Sequence, residues 1–229
     1  MKRSGVNEII REGDAFIRSF GYVLPPFAYW SPEEMKRRGA ESAGVFNARL
    51  GWDITDYGQG KFEELGLFLF TVRNGRFEDM SKGAGMLYAE KIMISRKDQL
   101  SPMHRHVIKA EDIINRGGGK LVLELFMPDT EGGIDAHAEV SVPVDGTIRR
   151  LPAGGLLKLD PGESVTLLPG VWHAFWGEGG DVLIGEVSTV NDDLTDNIFR
   201  DPIGRFSEIE EDVEPAHLLV SDYERWLAR

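Results

Sequence analysis

The sequence predicts an all-β protein, an antiparallel barrel or sandwich with helices before it and a short helix after it. Three observations carry this prediction. Short apolar runs recur between residues 65 and 190, turn-forming clusters separate them, and helical spacing is confined to the two ends of the chain.

Val6, Ile9, Ile10, Phe16, Ile17 and Phe20 recur at roughly helical intervals among charged residues, which predicts an amphipathic helix over residues 5–20. Pro25 and Pro26 force extended backbone and cannot continue it. Ser31 as N-cap, Pro32 at the first helical position, Glu34 closing a capping box and Gly39 as the stop define a second helix. Residues 1–50 thus read as a helical extension packed against the sheet. Residues 51–58, Gly-Trp-Asp-Ile-Thr-Asp-Tyr-Gly, read as irregular, and the first strand is expected at 65–72. Asn74-Gly75 predicts a hairpin turn. Further strands are expected at 87–95, 99–106, 120–127, 139–144, 146–151, 155–159, 164–168 and 181–190. Residues 110–116 are expected to interrupt the pattern as a loop or helical turn, with Gly117-Gly118-Gly119 as a separator. The barrel is assigned to 60–190, and 191–229 to an acidic extension ending in a helix over 220–227. With no long repeat or low-complexity segment, one domain accounts for the chain.

Composition narrows the function. The 229 residues are 41% hydrophobic and 28% charged, enough to bury a core. A net charge of -12 argues against nucleic acid and against an anionic membrane surface. The chain has no cysteine, which excludes disulfides, thiol catalysis and thiolate ligands. A metal would rest on nitrogen and oxygen, which suits Mn, Fe, Co, Ni or Zn. No apolar run approaches the ~18–20 residues of a membrane span, and the N-terminus lacks an apolar signal core. A cytoplasmic location is expected.

His104 and His106, at i and i+2 on a predicted strand, share one face and can meet one ion. Glu111 follows, and His173 closes a stretch that runs from Gly162 through Pro169 and Gly170. This H-x-H-x4-E-x6-G layout, with the downstream histidine, resembles the two metal-binding motifs of the cupin superfamily, a small β-barrel with a metal in its mouth. Two positions depart from that pattern: Asp98 stands where the first motif has glycine, and Gly177 where the second has asparagine. Three imidazoles and one carboxylate leave open positions on an ion, as a catalytic site requires. His137 and His217 are expected at the surface.

Three longer stretches carry a closer resemblance. They are Gly51-Trp-Asp-Ile-Thr-Asp-Tyr-Gly58, the run from Met103 through Glu111-Asp-Ile-Ile-Asn-Arg-Gly-Gly-Gly119, and Gly185-Glu-Val-Ser-Thr-Val-Asn-Asp-Asp-Leu-Thr-Asp-Asn197. With Tyr88-Ala-Glu-Lys91 and residues 169–176, they resemble the D-lyxose ketol-isomerase family from about residue 20 to the end of the chain. Position 105, often aromatic in that family, is Arg105 and is expected to point away from the metal. The resemblance implies interconversion of D-lyxose with D-xylulose, and of D-mannose with D-fructose. It implies one divalent metal ion, most often Mn, on His104, His106, Glu111 and His173. It also implies a homodimer, joined through the helical extension or an edge strand.

Aldose–ketose isomerisation through a cis-enediol needs a base near the C–H bond, a cation on the oxyanion and a relay for the hydroxyl proton. With Glu111 committed to the metal, Glu186 is the candidate base. It shares a strand face with Val182, Ile184 and Ser188, where a charge needs a partner or a purpose; a structural salt bridge or a solvent-facing carboxylate is the alternative. Lys109 is the candidate cation, or else an ordinary surface lysine. Lys91 either lines the pocket or snorkels to water. Trp52 and Asp53 are candidates for a sugar-binding wall, with core packing as the equal alternative for Trp52. Asp192 and its neighbour Asp193 either contact sugar or cap a turn. Trp172 and Trp176 read as packing. A hydride shift usually calls for two metals, and one ligand set is visible, so the enediol route is favoured. The rivals are an Fe(II) dioxygenase on the same ligands and a non-catalytic sugar- or metal-binding cupin.

Overall fold

The computed structural model describes residues 1–227; the last two residues of the expected C-terminal extension lie outside it. Helix α1 (Arg3–Ser19) is followed by a 3-10 turn at Pro26–Tyr29 and by α2 (Pro32–Arg38) and α3 (Ala43–Asn47). The Ser31 hydroxyl caps α2 by accepting from the Glu34 N–H at 3.2 Å. Glu34 does not close the expected capping box, because its carboxylate accepts from Arg38 at 2.6 Å instead.

The strands begin earlier than expected, with β1 (Gly51–Thr55) in the segment read as irregular. All five of its residues are buried, so the polar Asp53 and Thr55 that disguised it face protein rather than water. β1 pairs with β2 (Leu67–Arg73) and β2 with β3 (Tyr88–Ser95). Asn74-Gly75 is not a hairpin turn. The connection from β2 to β3 is long and carries α4 (Phe77–Met80). The Asn74 side chain is engaged elsewhere, donating to the Ala48 and Asn191 carbonyls and accepting from the Asn191 N–H.

The remaining strands are β4 (Ser101–Arg105), β5 (Glu111–Pro128), β6 (Ile134–Asp135), β7 (Val140–Val144) and β8 (Thr147–Leu151). They continue with β9 (Gly155–Leu159), β10 (Ser164–Leu167), β11 (Trp172–Thr189) and β12 (Ile198–Phe199), before α5 (Tyr223–Leu227). The sheet runs in the order β1-β2-β3-β11-β5-β10-β7-β8, with every strand pair antiparallel.

Two 18-residue strands, β5 and β11, pair with each other and form the spine. One half of β11 pairs with β4 and the other with β3, while β5 pairs with β10 and then β9. Residues 110–119 therefore do not separate two strands, as the glycines suggested; from Glu111 onward they are strand, bent at its middle. Gly118 has φ +96°, and a Cβ there would lie 2.1 Å from the Asp181 carbonyl oxygen. The triple glycine permits a close backbone crossing at a bulge instead of ending the strand.

Strand alternation divides the apolar residues between two cores. Leu67 and Leu69 join Leu121, Leu123, Leu125 and Ile184 inside the barrel. Phe68 and Phe70 face outward and are covered by Val6, Ile10 and Ile17 of α1, with Trp52 between them. No helix among the described residues is long and apolar enough to cross a membrane.

The chain ends are tied together by Arg3, whose side chain is fully buried. Its guanidinium donates to both Asp222 oxygens at 3.0 and 2.8 Å and to Glu211 at 2.8 and 2.9 Å. Removing one partner of a buried pair leaves the other charged and unpaired. Arg3→Ala is expected to lower unfolding stability by about 3–5 kcal/mol, read as a lower urea midpoint, and Asp222→Asn in that background should restore part of the loss.

Candidate active site

The three histidines meet because two strands hold them in register. His104 lies on β4 directly opposite His173 on β11, and His106 follows just beyond the end of β4. One nitrogen from each imidazole can be chosen so that all three lie within 4.8 Å of one another, and all three residues are buried. The orientation of each ring is set by a backbone carbonyl. The Nδ1 of His104 bonds the Pro102 oxygen at 2.8 Å, that of His106 the Asp196 oxygen at 2.8 Å, and that of His173 the Val171 oxygen at 3.1 Å. A carbonyl can only accept, so each Nδ1 carries a proton, and in the neutral ring Nε2 presents a lone pair. Burial, followed by the neighbouring His173 and His106, holds His104 well below the ordinary histidine range, so its ring is neutral.

Glu111 stands at the start of β5 with its Oε1 3.4 Å from the Nε2 of His106 and 3.2 Å from that of His173. That oxygen is buried and has no hydrogen-bond donor among the described residues. With neutral rings in this tautomer, lone pair opposes lone pair. A bound cation is the species that turns this repulsion into coordination, so the donor set fits a divalent metal. Burial, the largest single influence, would raise Glu111, but the Lys109 ammonium, 2.6 Å from Oε2, together with His106 and His173 outweighs it and holds the carboxylate well below its usual range.

Both motif departures have a structural reason. Asp98 adopts φ +60°, a left-handed conformation that aspartate tolerates and glycine fills more easily. Gly177 lies where a Cβ would come within 2.7 Å of the Gly180 carbonyl oxygen, which leaves no room for asparagine. Arg105 points away from the histidines, with its guanidinium 5.4 Å from the Trp172 ring centre. Trp172 is packed, as expected, with its indole N–H donating to the Gly132 carbonyl.

β11 also carries Glu186, opposite Lys91 on β3 and Ile113 on β5. His173 and Glu186 are an odd number of residues apart and would face opposite sides of a regular strand. The register shifts between Glu178 and Val182 switch the parity, so both enter the barrel. Glu186 Oε1 lies 3.0 Å from the Lys109 ammonium and 3.5 Å from that of Lys91, whereas Oε2 has no hydrogen-bond partner among the described residues. Lys109 itself is pulled down by burial and up by Glu111 and Glu186; the carboxylates prevail, and it is held above the ordinary lysine range. Neither lysine snorkels: both side chains are 3% exposed.

From Lys91 the ionic chain continues to Asp193 at 3.5 Å, then to Arg205 at 3.4 Å, then to Asp53 at 2.7 Å. Glu111, Lys109, Glu186, Lys91, Asp193, Arg205 and Asp53 thus alternate in sign, four negative and three positive groups. Asp193 and Arg205, with Tyr57 and Phe199, line the same pocket as the histidines. Burial pushes the Tyr57 phenol up to about 12, which keeps it protonated and able to bond the Ser101 hydroxyl at 3.0 Å.

Other expectations are corrected. Trp52 does not form a wall of this pocket: it packs against Phe68 and Phe70 and donates its indole N–H to the Ala28 carbonyl at 2.7 Å. Asp53 is buried behind Arg205 and reaches the pocket only through it. Asp192 turns away, accepting from the Leu194 N–H and the Thr195 hydroxyl, and its neighbour Asp193 is the one that points inward. His137 is exposed, but His217 is half-buried against Trp30 and Trp52. The sequence reading missed Asp196 altogether. Its two carboxylate oxygens accept from the Val107, Ile108 and Lys109 N–H groups at 2.7, 2.9 and 2.9 Å, and its carbonyl accepts from His106.

The fold and this cluster define a cupin-type barrel with a histidine-lined pocket fitted for a divalent metal. A curated protein from Serratia proteamaculans, a D-lyxose/D-mannose isomerase, is 48% identical over 233 residues, which cover 100% of both chains. A second D-lyxose/D-mannose isomerase, from Escherichia coli O157:H7, is 45% identical over 96% of each chain. The family model for D-lyxose isomerase matches residues 1–223, and the chain belongs to the D-lyxose isomerase family. Among solved structures, the fold is similar to a variant of L-ribose isomerase from Acinetobacter sp. DL28 in complex with L-ribose. That likeness has a TM-score of 0.63 at 15% identity and covers 92% of this chain and 98% of the other.

Asp196 fixes the segment that carries His106 and Lys109 without touching the cluster through its side chain. Asp196→Ala is expected to weaken divalent metal binding by ~10–100-fold, measured by competition with a chromophoric chelator.

Proposed function

We propose that the chain interconverts D-lyxose with D-xylulose, and D-mannose with D-fructose, through a cis-enediol. The observation that carries this reading is Glu186, with one oxygen held between two lysines and the other free, in the pocket that holds the histidines. His104, His106, Glu111 and His173 would hold one divalent ion. We favour Mn(II), with Zn, Co, Ni and Fe compatible with the same nitrogen and oxygen donors. When bound, the ion supplies Lewis-acid polarisation of the sugar's carbonyl and adjacent hydroxyl.

In the aldose-to-ketose direction Glu186 takes the proton from C2. The C2–H electron pair becomes the C1=C2 bond of the enediol, and O1 gains a proton. The Lys109 ammonium, placed against both Glu186 and Glu111, gives that proton to O1 and recovers one from O2 as C2=O forms. Protonated Glu186 then returns its proton to C1. Atoms and electrons balance without an oxidant. Asp193 is a poorer base because both of its oxygens are engaged, one by Lys91 and Arg205 and the other by the Asn191 amide at 2.8 Å. Lys91 is assigned to orienting Glu186 and the sugar. We assign Trp52 and Asp192 no contact with substrate, and Asp53 acts through Arg205. We also propose a cytoplasmic homodimer, for which the edge strand β8 with its exposed Ile148 offers a contact.

Protein stripped with a chelator is expected to produce no D-xylulose from D-lyxose, and Mn(II) should restore production. His173→Ala should lower restored turnover at least ~100-fold. Metal uptake with D-lyxose and D-mannose both left unchanged would overturn the isomerase reading.

A further inference from the structure

Arg205 belongs to no sequence motif described above, yet it is the cation furthest from the histidines along the ionic chain. Its Nη2 is shared between Asp53 at 2.7 Å and Asp193 at 3.4 Å. Its Nη1 is buried with no hydrogen-bond partner among the described residues, while the residue lines the pocket that holds Glu186 and the histidines. Phe206 lies over the guanidinium at 4.9 Å and offers no acceptor oxygen. An unsatisfied donor on a buried charged group is costly, so the arrangement suits an acceptor brought by a ligand.

The charge around it selects which acceptor. Asp53 and Asp193 both face Arg205, so a phosphate would meet two carboxylates for one guanidinium. A neutral hydroxyl meets no such repulsion and satisfies the free N–H. We propose that Arg205 Nη1 donates to a hydroxyl at C4 or C5 of an unphosphorylated open-chain sugar, so that Arg205 sets specificity for the tail of the substrate while Glu186 acts at C1 and C2. This assignment rests on the isomerase reading above.

The test compares kcat/KM for D-lyxose with kcat/KM for its 4-deoxy and 5-deoxy analogues, in the Mn(II)-loaded wild-type protein and two variants. Arg205→Lys keeps the charge and removes the second donor arm. Asp53→Asn with Arg205→Gln keeps the charge balance and guards against misfolding caused by a stranded Asp53. The wild-type protein is expected to prefer D-lyxose over one deoxy analogue by about 10- to 100-fold, the range for a hydrogen bond to a charged donor. Both variants should lose that preference to within about threefold, whatever absolute turnover each retains. A merely structural role would lower all sugars together and leave the preference intact, which would overturn the proposal. Faster turnover of D-lyxose 5-phosphate than of D-lyxose would overturn it as well. Absence of any wild-type turnover would instead bring down the isomerase reading, and this assignment with it.

Discussion

Three imidazole lone pairs and one carboxylate oxygen point at each other inside a protein pocket, and the rest of the site is arranged to keep them there. The backbone carbonyls of Pro102, Val171 and Asp196 fix the tautomers, so neutral rings cannot relieve the conflict by donating to Glu111. Asp196 fixes the loop between His106 and Lys109 through three backbone N–H groups. Such a cluster is poorly satisfied by protein alone, and its binding energy for a cation is coupled to the stability of the barrel mouth.

The same strand that supplies His173 supplies Glu186, which on the proposed reading ties the metal-ligating and proton-moving groups to one rigid element. The bulged crossing of β5 and β11 makes this possible by bringing both residues to the inside. The buried charges then follow a strict order of sign from Glu111 to Asp53. Each ion has an opposite neighbour within 3.5 Å, so burial is tolerated and each side chain has one defined position. Function on this reading depends on the two atoms left over: the second oxygen of Glu186 at the reacting end and Nη1 of Arg205 at the other.

What could be read from the sequence was local. Period-two alternation placed Glu186 on the face of Val182 and Ile184, and His104 and His106 declared themselves by spacing. The bend in β5 was hidden because glycines that allow a close crossing look the same as glycines that end a strand. β1 was hidden because its alternating Asp53 and Thr55 look solvated, when their partners lie far along the chain. Asp53 finds Arg205 at 152 positions' distance, and Arg3 finds Asp222 at 219. Asp192 and Asp193 are indistinguishable in a one-dimensional reading. A turn in which Asp192 accepts from Leu194 and Thr195 decides which of the two enters the pocket.

The most direct test of the central claim follows the hydrogen at C2. D-Lyxose would be isomerised in D2O by Mn(II)-loaded wild-type protein and by Glu186→Gln, with metal content measured in both. If Glu186 carries the proton through an enediol, D-xylulose from the wild-type protein contains deuterium at C1. Glu186→Gln then holds metal equally well while kcat falls by about 10²–10⁴-fold. Turnover of Glu186→Gln within tenfold of wild type, or complete retention of the C2 hydrogen in the wild-type product, would contradict the account.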